Sequence, residues 1–298
     1  MPKLNALVAG STGYIGVQLI KLLINHKYIN IKYLCGNSSV GKNISYYDKS
    51  LSKKKLPKIV KFNPKLLNGI DVVFTALPNG EAQDIAKKLN DNITLIDLAA
   101  DFRLKKANDY LKWYKQKHKA VKNIKKSIYA LPEITGKKIK KFDIIGCPGC
   151  YPTSILLPLV PLIQKKAIKV DNIIIDSKSG YSGAGKNLNK KFNHKNLYES
   201  IHPYGVFHHR HQSEISQELF KISEKISYTF TPHLIPTFRG LLSAIYVEKM
   251  PSINLKKIHN EIKNFYKNKH FVKVANINKN IGTENVINTN FCEISQQT

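Results

Sequence analysis

Apolar residues along the chain follow two rhythms, and the change between them falls near the middle. "LNALVAG", from residue 4, is a continuous apolar run, as expected of a strand buried on both faces. "GSTGYIG" overlaps its end, and "VQLIKLLINH" then places Val17, Leu19, Ile20, Leu22 and Leu23 at helical spacing. The unit reads strand, glycine turn, helix. "NIKYLCG" predicts a second strand, "GIDVVFTALPNG" a third ending in a turn, and "EAQDIAKKLND" a helix. "ITLIDLAADFRL" reads as a strand running into a loop, "NDYLKWYKQKH" as a helix and "KFDIIG" as another short strand. Strands alternating with helices predict a parallel, doubly wound α/β sheet of Rossmann type.

After residue 150 the pattern changes. "VDNIIIDSKSGYSGAGK", "KISYTFTPHLIPTFRGLLSAIYVEK" and "HFVKVANI" read as longer, partly antiparallel strands between glycine-rich or polar segments. Only "LKKIHNEIKNFYKN" is a clear amphipathic helix in this half. The expectation is an α+β domain with a mixed sheet. Two domains are predicted, residues 1–149 and 150–298, with a pair of cysteines at their junction and no internal repeat.

Composition narrows the picture. A chain of 298 residues, 42% hydrophobic, can bury two moderate cores. The first residues run almost at once into a strand, so no secretory or transit leader is expected. The longest apolar runs, such as "TSILLPLVPLI", are too short and too broken by proline to span a bilayer. Four cysteines do not make a disulfide scaffold, which predicts free thiols in a reducing cytoplasm. The net charge of +28 invites a nucleic-acid reading, but forty-five of the forty-eight basic residues are lysines, scattered in small clusters. Heavy use of asparagine and isoleucine beside them reads as coding bias. No arginine-rich helix or aromatic-interleaved motif accompanies the charge, so no nucleic-acid partner is expected. The three arginines, Arg103, Arg210 and Arg239, stand out against that background. A planar, bidentate fork suits carboxylates and phosphates better than a lysine does.

Gly10, Gly13 and Gly16 form a GxxGxxG turn between a strand and a helix, where backbone amides can hold a pyrophosphate. A site preferring NAD wants an acid after the second strand; here "CGNSSVGKN" offers none, and Ser38, Ser39 and Lys42 suit a 2′-phosphate. NADP is the expected cofactor.

The chemistry gathers at "GCPGCYPTS". Cys150 follows a strand and precedes Tyr151 and Pro152, and Pro152 fits the first turn of a helix. A thiol at a helix N-terminus ionises more readily and can attack a carbonyl or acyl phosphate. Cys147, on the strand side, reads as a small buried residue. A dithiol redox centre, part of a zinc site and two inert cysteines are the competing readings. Cys35 and Cys292 have no paired spacing to complete a zinc site, so no metal is expected. A nucleophilic thiolate needs a group to manage protons, and "FHHRHQSEI" supplies His208, His209, Arg210, His211 and Glu214. In an extended segment His209 and His211 would share one face, with Arg210 on the other.

These motifs together carry a resemblance. "GSTGYIG", "DLAADFRL", "YALPEI", "GCPGCYPTS", "SGYSGAG", "HRHQSEI" and "FTPHLIPTFRGLLS" occur in the order found in the N-acetyl-gamma-glutamyl-phosphate reductases, relatives of the aspartate-semialdehyde dehydrogenases. The chain resembles that family along nearly its whole length, and "PGCYPT" and "HRHQSEI" favour the reductase over its aspartyl cousin. The resemblance implies a small acyl phosphate substrate and a thioester formed on Cys150, then reduced by NADPH to a semialdehyde in arginine biosynthesis. It implies a histidine of "HRH" as general acid/base: His211, because an acid such as Glu214 follows the corresponding histidine in the related dehydrogenases, with His209 as the alternative. The implied cofactor contacts are Gly10, Ser11, Thr12, Gly13, Tyr14, Ile15, Gly16, Ser38, Ser39, Pro78, Ser182 and Gly183. Arg103 is expected to hold the phosphate, and Arg210 or Arg239 the substrate carboxylate. The family also implies a homo-oligomer, dimer or tetramer.

Two departures accompany the resemblance. Cys147 stands where many members carry the asparagine of "NPGC". At the other end, "NTNFCEISQQT" matches a family segment normally followed by a strand and a glycine- and alanine-rich helix, whereas this chain stops at Thr298. The expectation is either a short form or a truncated chain with weakened cofactor binding.

Overall fold

The computed structural model describes residues 2–184 and 199–298. Two compact units emerge: residues 1–130 with 137–148, and residues 131–136 with 149–298.

The first unit is built on seven strands: β1 (Leu4–Ala9), β2 (Ile29–Cys35), β3 (Ile59–Val60), β4 (Val72–Thr75), β5 (Thr94–Asp97), β6 (Ser127–Tyr129) and β7 (Ile144–Gly146). All pairings are parallel, in the order β3-β2-β1-β4-β5-β7-β6. Helices α1 (Tyr14–Leu23), α2 (Glu81–Ala86), α3 (Ala107–Tyr114) and α4 (Val121–Ile124) complete it. The apolar run of β1 is explained by its two covered faces. Leu7 and Ala9 join Val73, Leu95, Ala82 and Ile85 on one side; Ala6 and Val8 join Leu34, Phe74, Val17 and Ile20 on the other. Each fully buried side chain of leucine size contributes about 1.5–3 kcal/mol. The predicted doubly wound sheet is therefore present. β3 and β6, with two and three residues, are too short to announce themselves by periodicity. The chain reverses its outward progress between β1 and β4, and the carboxyl ends of those two strands are where such sheets bind ligands.

The second unit contains a mixed sheet in the order β11-β8-β10-β9, from β8 (Ile173–Gly180), β9 (His202–Pro203), β10 (Tyr228–Ile235) and β11 (Leu241–Tyr246). β10 runs parallel to β8, and β11 antiparallel to it. Although consecutive in sequence, β10 and β11 straddle β8, because their connection folds over its end. Gly180, Tyr181 and Ser182 donate to the carbonyls of Gly240, Thr237 and Phe238, each at 2.9 Å. The strand expected to run through "SGYSGAGK" stops at Gly180 and gives way to a tight helical turn over Tyr181–Ala184; residues 185 and 186 lie outside the described ones. Around the sheet are α5 (Pro132–Thr135), α6 (Cys150–Gln164), α7 (His211–Phe220) and α8 (Leu255–Tyr266), with a small parallel pair, β12 (Val272–Val274) and β13 (Cys292–Ile294).

Helix α8 is the amphipathic helix the sequence predicts: Asn254 accepts from the Lys257 amide at 2.8 Å, and Ile258, Ile262 and Tyr266 face inward. Helix α6 is apolar on nearly all sides and carries a serine link to the sheet, in which Ser243 Oγ lies 2.7 Å from both Ser154 Oγ and Ser177 Oγ. Helix α7 is present without a clear apolar stripe, so α8 stays the clear amphipathic helix of this half. Helix α7 buries only Ser213, Glu214, Ile215 and Leu219, too few apolar positions to register as a stripe. Among the described residues no helix is long and apolar enough to cross a membrane.

Candidate active site

The cofactor cradle comes from the first turn of the first unit. Gly10 has φ +80°, and a Cβ there would lie 2.2 Å from the carbonyl oxygen of Ala76, so no other residue fits. The turn is locked from beneath: the amides of Gly10 and Ser11 both donate to the Cys35 carbonyl at 3.1 Å, and Ser11 Oγ donates to it at 3.0 Å. Ser11 is fully buried, its hydroxyl turned to that carbonyl rather than outward. Gly13 is the extended residue before α1, and a Cβ there would meet no atom closer than 3.6 Å. Thr12, Tyr14 and Ile15 flank it in sequence, and first-turn amides have no acceptor within their own helix. Gly16 packs on the loop, its missing Cβ replaced by the Gly10 carbonyl. Exposed Pro78 lies in the loop after β4. The arrangement fits a pyrophosphate.

At the end of β2, Ser38 and Lys42 are exposed. Ser39 is 2% exposed and accepts from Tyr47 Oη at 2.6 Å, which closes the loop from inside. Ser38 and Lys42 are the exposed residues there whose side chains suit a 2′-phosphate.

The segment "DLAADFRL" builds a buried acid cluster that its sequence alone does not announce. Asp97 is fully buried and accepts from Thr75 Oγ1 at 2.7 Å and from the amides of Ala99, Asp101 and Phe102 at 3.0–3.3 Å. Burial and the nearby Asp101 carboxylate nonetheless push it up to about 6, outweighing Thr75 and the Arg103 charge. Asp101 accepts from the amides of Gly80 and Ala82, at 2.7 and 3.0 Å, and from Tyr110 Oη at 2.6 Å; it thereby fixes the start of α2 after the Pro78 loop. Arg103 departs from expectation. It is 8% exposed, and its Nε and Nη2 donate to the carbonyls of Cys147 at 2.7 Å and Leu98 at 3.3 Å. Two of its donors thus clamp backbone, a structural use of the fork that was expected to meet phosphate.

The cysteine expected to be the nucleophile belongs to the second unit. Gly149 is the residue before α6 and Cys150 its first member; Pro152 is third, where its missing N–H costs nothing. Of the four cysteines, Cys150 is the exposed one. Burial pushes Cys35 and Cys147 up to about 12 and Cys292 to about 11, which keeps those thiols protonated and unreactive. Gly149 is held on both sides: its amide donates to Glu214 Oε2 at 2.9 Å, and its carbonyl accepts from the Thr153 amide and hydroxyl at 3.0 and 2.9 Å. Its backbone angles, φ −68° and ψ 163°, suit any residue, yet a Cβ would lie 2.4 Å from His211 Nε2. The glycine is there for space. It lets the His211 imidazole lie against the backbone one residue ahead of the thiol.

Glu214, fully buried on the first turn of α7, places Oε1 3.9 Å from His211 Nε2. His209 and His211 do come together, with ring centroids 4.7 Å apart, but through a turn entering a helix rather than an extended strand. Tyr151, Tyr204 and Phe230 surround His209 edge-on. Tyr151 and Tyr204 escaped the sequence reading, since a tyrosine beside a nucleophile looks like any core aromatic. Arg210 is exposed just before α7, and Arg239, between β10 and β11, has its guanidinium 5.3 Å from the Phe238 ring centroid. Ser182 and Gly183 sit in the turn after β8, Gly183 exposed. Among the described residues no cluster of three His, Cys, Asp or Glu side chains could hold a metal ion.

Comparison with known proteins follows this division. Residues 5–142 match the family model described as the semialdehyde dehydrogenase NAD binding domain, and residues 150–298 match the corresponding dimerisation domain. An N-acetyl-gamma-glutamyl-phosphate reductase of Brachyspira hyodysenteriae is 44% identical, covering 97% of this chain and 84% of the relative. One from Clostridium beijerinckii is 42% identical over the same shares. A probable chloroplastic N-acetyl-gamma-glutamyl-phosphate reductase of Arabidopsis thaliana is 40% identical, covering 96% of this chain and 72% of the relative. Among solved structures, aspartate semialdehyde dehydrogenase II of Vibrio cholerae has the same fold, with a TM-score of 0.69 at 16% identity over 99% of this chain and 88% of that one. The aspartate semialdehyde dehydrogenase of Candida albicans, solved with NADP, has a TM-score of 0.65 at 17% identity over 94% and 84%. With an exposed cysteine at a helix start, a glycine cradle at the switch point and relatives this similar along nearly its whole length, the chain belongs to the N-acetyl-gamma-glutamyl-phosphate reductase family of the semialdehyde dehydrogenases.

Proposed function

We propose that this chain reduces N-acetyl-L-glutamyl 5-phosphate to N-acetyl-L-glutamate 5-semialdehyde and phosphate, a step of arginine biosynthesis. The observation that carries the reading is the His211 imidazole lying against Gly149, with Glu214 bonded to the same glycine and Cys150 the next residue. The Cys150 sulfur, exposed among first-turn amides, attacks the acyl carbon; phosphate leaves with the electrons of the broken C–O bond, and a thioester remains. His211 takes the thiol proton during attack and gives it to the substrate oxygen as the acyl group is reduced. It takes the proton back as the C–S bond breaks, so that the semialdehyde leaves and the thiolate is restored, with Glu214 setting the ring's orientation. NADPH, when bound, supplies the hydride that reduces the acyl group. Gly13, Tyr14 and Ile15 would hold its pyrophosphate through backbone amides, and Ser38 and Lys42 its 2′-phosphate. Ser182 and Gly183 are proposed near the nicotinamide or phosphate. Arg210 or Arg239 would hold the substrate carboxylate.

The family's dimerisation domain supports a homo-oligomer, and the outer face of the mixed sheet offers apolar surface for it: Ile174, Leu242 and Tyr246 are 52%, 40% and 61% exposed. Four free thiols and a cysteine nucleophile suit a reducing cytoplasm.

The test compares two single variants in the reverse assay, phosphate-dependent NADP reduction by the semialdehyde. Cys150→Ser should lower kcat by about a thousandfold or more, as removal of a covalent nucleophile does. Cys147→Ser should stay within a few-fold. Equal losses in both would point to a dithiol centre, and activity surviving in Cys150→Ser would reject the thioester.

A further inference from the structure

We propose that His209 is a positioning residue for His211: its Nδ1 accepts the backbone N–H of His211 and fixes where α7 begins, and so where the His211 imidazole lies. The inference rests on the acid/base role given to His211 above. Helix α7 has an unusual start. Its leading residue, Arg210, is already helical and makes no side-chain cap, so the first amide must find an acceptor elsewhere. His209 Nδ1 supplies it, 3.2 Å from the His211 nitrogen, while the His209 carbonyl accepts from the Gln212 amide at 2.9 Å. Ring and backbone of one residue thus define the first turn.

The acceptor is itself held. The His209 ring meets Tyr151, Tyr204 and Phe230 edge-on, with centroids 5.3, 5.3 and 5.8 Å away. Tyr204 Oη donates to Tyr151 Oη at 3.1 Å, and Tyr151 Oη to the His233 carbonyl at 3.3 Å, which ties the cage to β10. An accepting Nδ1 carries no proton, so the neutral ring bears its hydrogen on Nε2. Burial first, then the neighbouring His211 and Arg210, push His209 down to about 3, so that it stays neutral wherever the enzyme works. A ring fixed in one protonation state cannot hold and return a proton. The two histidines of "HRH" therefore divide the work: one moves the proton, the other sets its place.

His209→Asn and His209→Phe test this. The asparagine Oδ1 can take the position of Nδ1 and keep the acceptor; phenylalanine keeps the ring contacts and removes it. His209→Phe should lower kcat about tenfold, the scale of a lost hydrogen bond and a slightly misplaced base, with KM within about twofold and the shape of the pH profile unchanged. His209→Asn should recover most of that loss. Amide hydrogen exchange at His211, read independently of activity, should speed about tenfold in His209→Phe and stay slow in His209→Asn. Unaltered exchange and kcat in His209→Phe would overturn the proposal, as would equal losses in both variants with a limb of the pH profile gone. A chain inactive before substitution would reject the function, while the exchange measurement would still decide the role of His209.

Discussion

Both units hold carboxylates buried to completion, and two of them, Asp97 and Glu214, are used differently. Asp97, at the end of β5, is satisfied by its own neighbourhood: three amides of the loop it begins and one hydroxyl from β4. Glu214 reaches 65 residues back to the Gly149 amide, and its other oxygen lies 3.9 Å from His211 Nε2. The first carboxylate shapes a loop. The second joins the turn before Cys150 to the segment that carries His211. A buried acid with every partner local is an element of architecture, whereas one that links two distant segments can orient chemistry.

The sharpest way to break that comparison is to separate Gly149 from His211. Gly149→Ala adds a methyl group where the imidazole now lies, with ring atoms 2.4–2.7 Å away, so the base must move. A fall in kcat of about a hundredfold is expected, with melting temperature little changed, because a displacement on the order of 1 Å is costly for proton transfer. Steady-state kinetics beside a thermal melt would check it; an unchanged kcat would remove Gly149 from the site.

Glu214→Gln should do less. The amide oxygen can still accept from Gly149, while the charge facing His211 is lost. A drop in kcat of about tenfold is expected with a shifted pH profile, since the imidazolium loses its partner. A shift confined to KM would argue against the orienting role.

Asp97→Asn should change the rate least and the pH dependence of stability most. Its folded value of about 6 lies above the ordinary 3.8, so the stability tied to its protonated form is complete below about pH 4 and is lost as pH rises through 6. The unaltered chain should therefore lose about 1–3 kcal/mol from this group between pH 4 and pH 7. The variant should be less stable overall, because one amide nitrogen now faces N–H donors, yet it should lack that slope. Chemical denaturation at both pH values gives the answer; parallel slopes in the two proteins would count against it.

The alternation of apolar runs carried the doubly wound sheet, because a strand covered on both faces must be apolar throughout. It also carried the glycine turn and the helix that starts at Cys150, since Gly10 and Pro152 state local backbone requirements. The pairing of His211 with Glu214 was readable as a spacing within one segment. Other features were decided only by the assembled structure. β3, β6 and α7 are too short or too polar to show a period, so neighbours rather than propensity make them. Ser11, Ser39 and Arg103 looked like ligands because hydroxyls and guanidinium suit phosphate. Packing instead buried all three: Ser11 bonds to the end of β2, Arg103 to the backbone after β7, and Ser39 to Tyr47 of its own loop. Similarly, the need for glycine at position 149 comes from a ring sixty-two residues away, and the neutrality of His209 from aromatic residues on other elements. Local chemistry is set by spacing along the chain, while burial and orientation depend on which distant groups arrive beside it, and those two quantities decide whether a polar side chain binds, reacts or only holds.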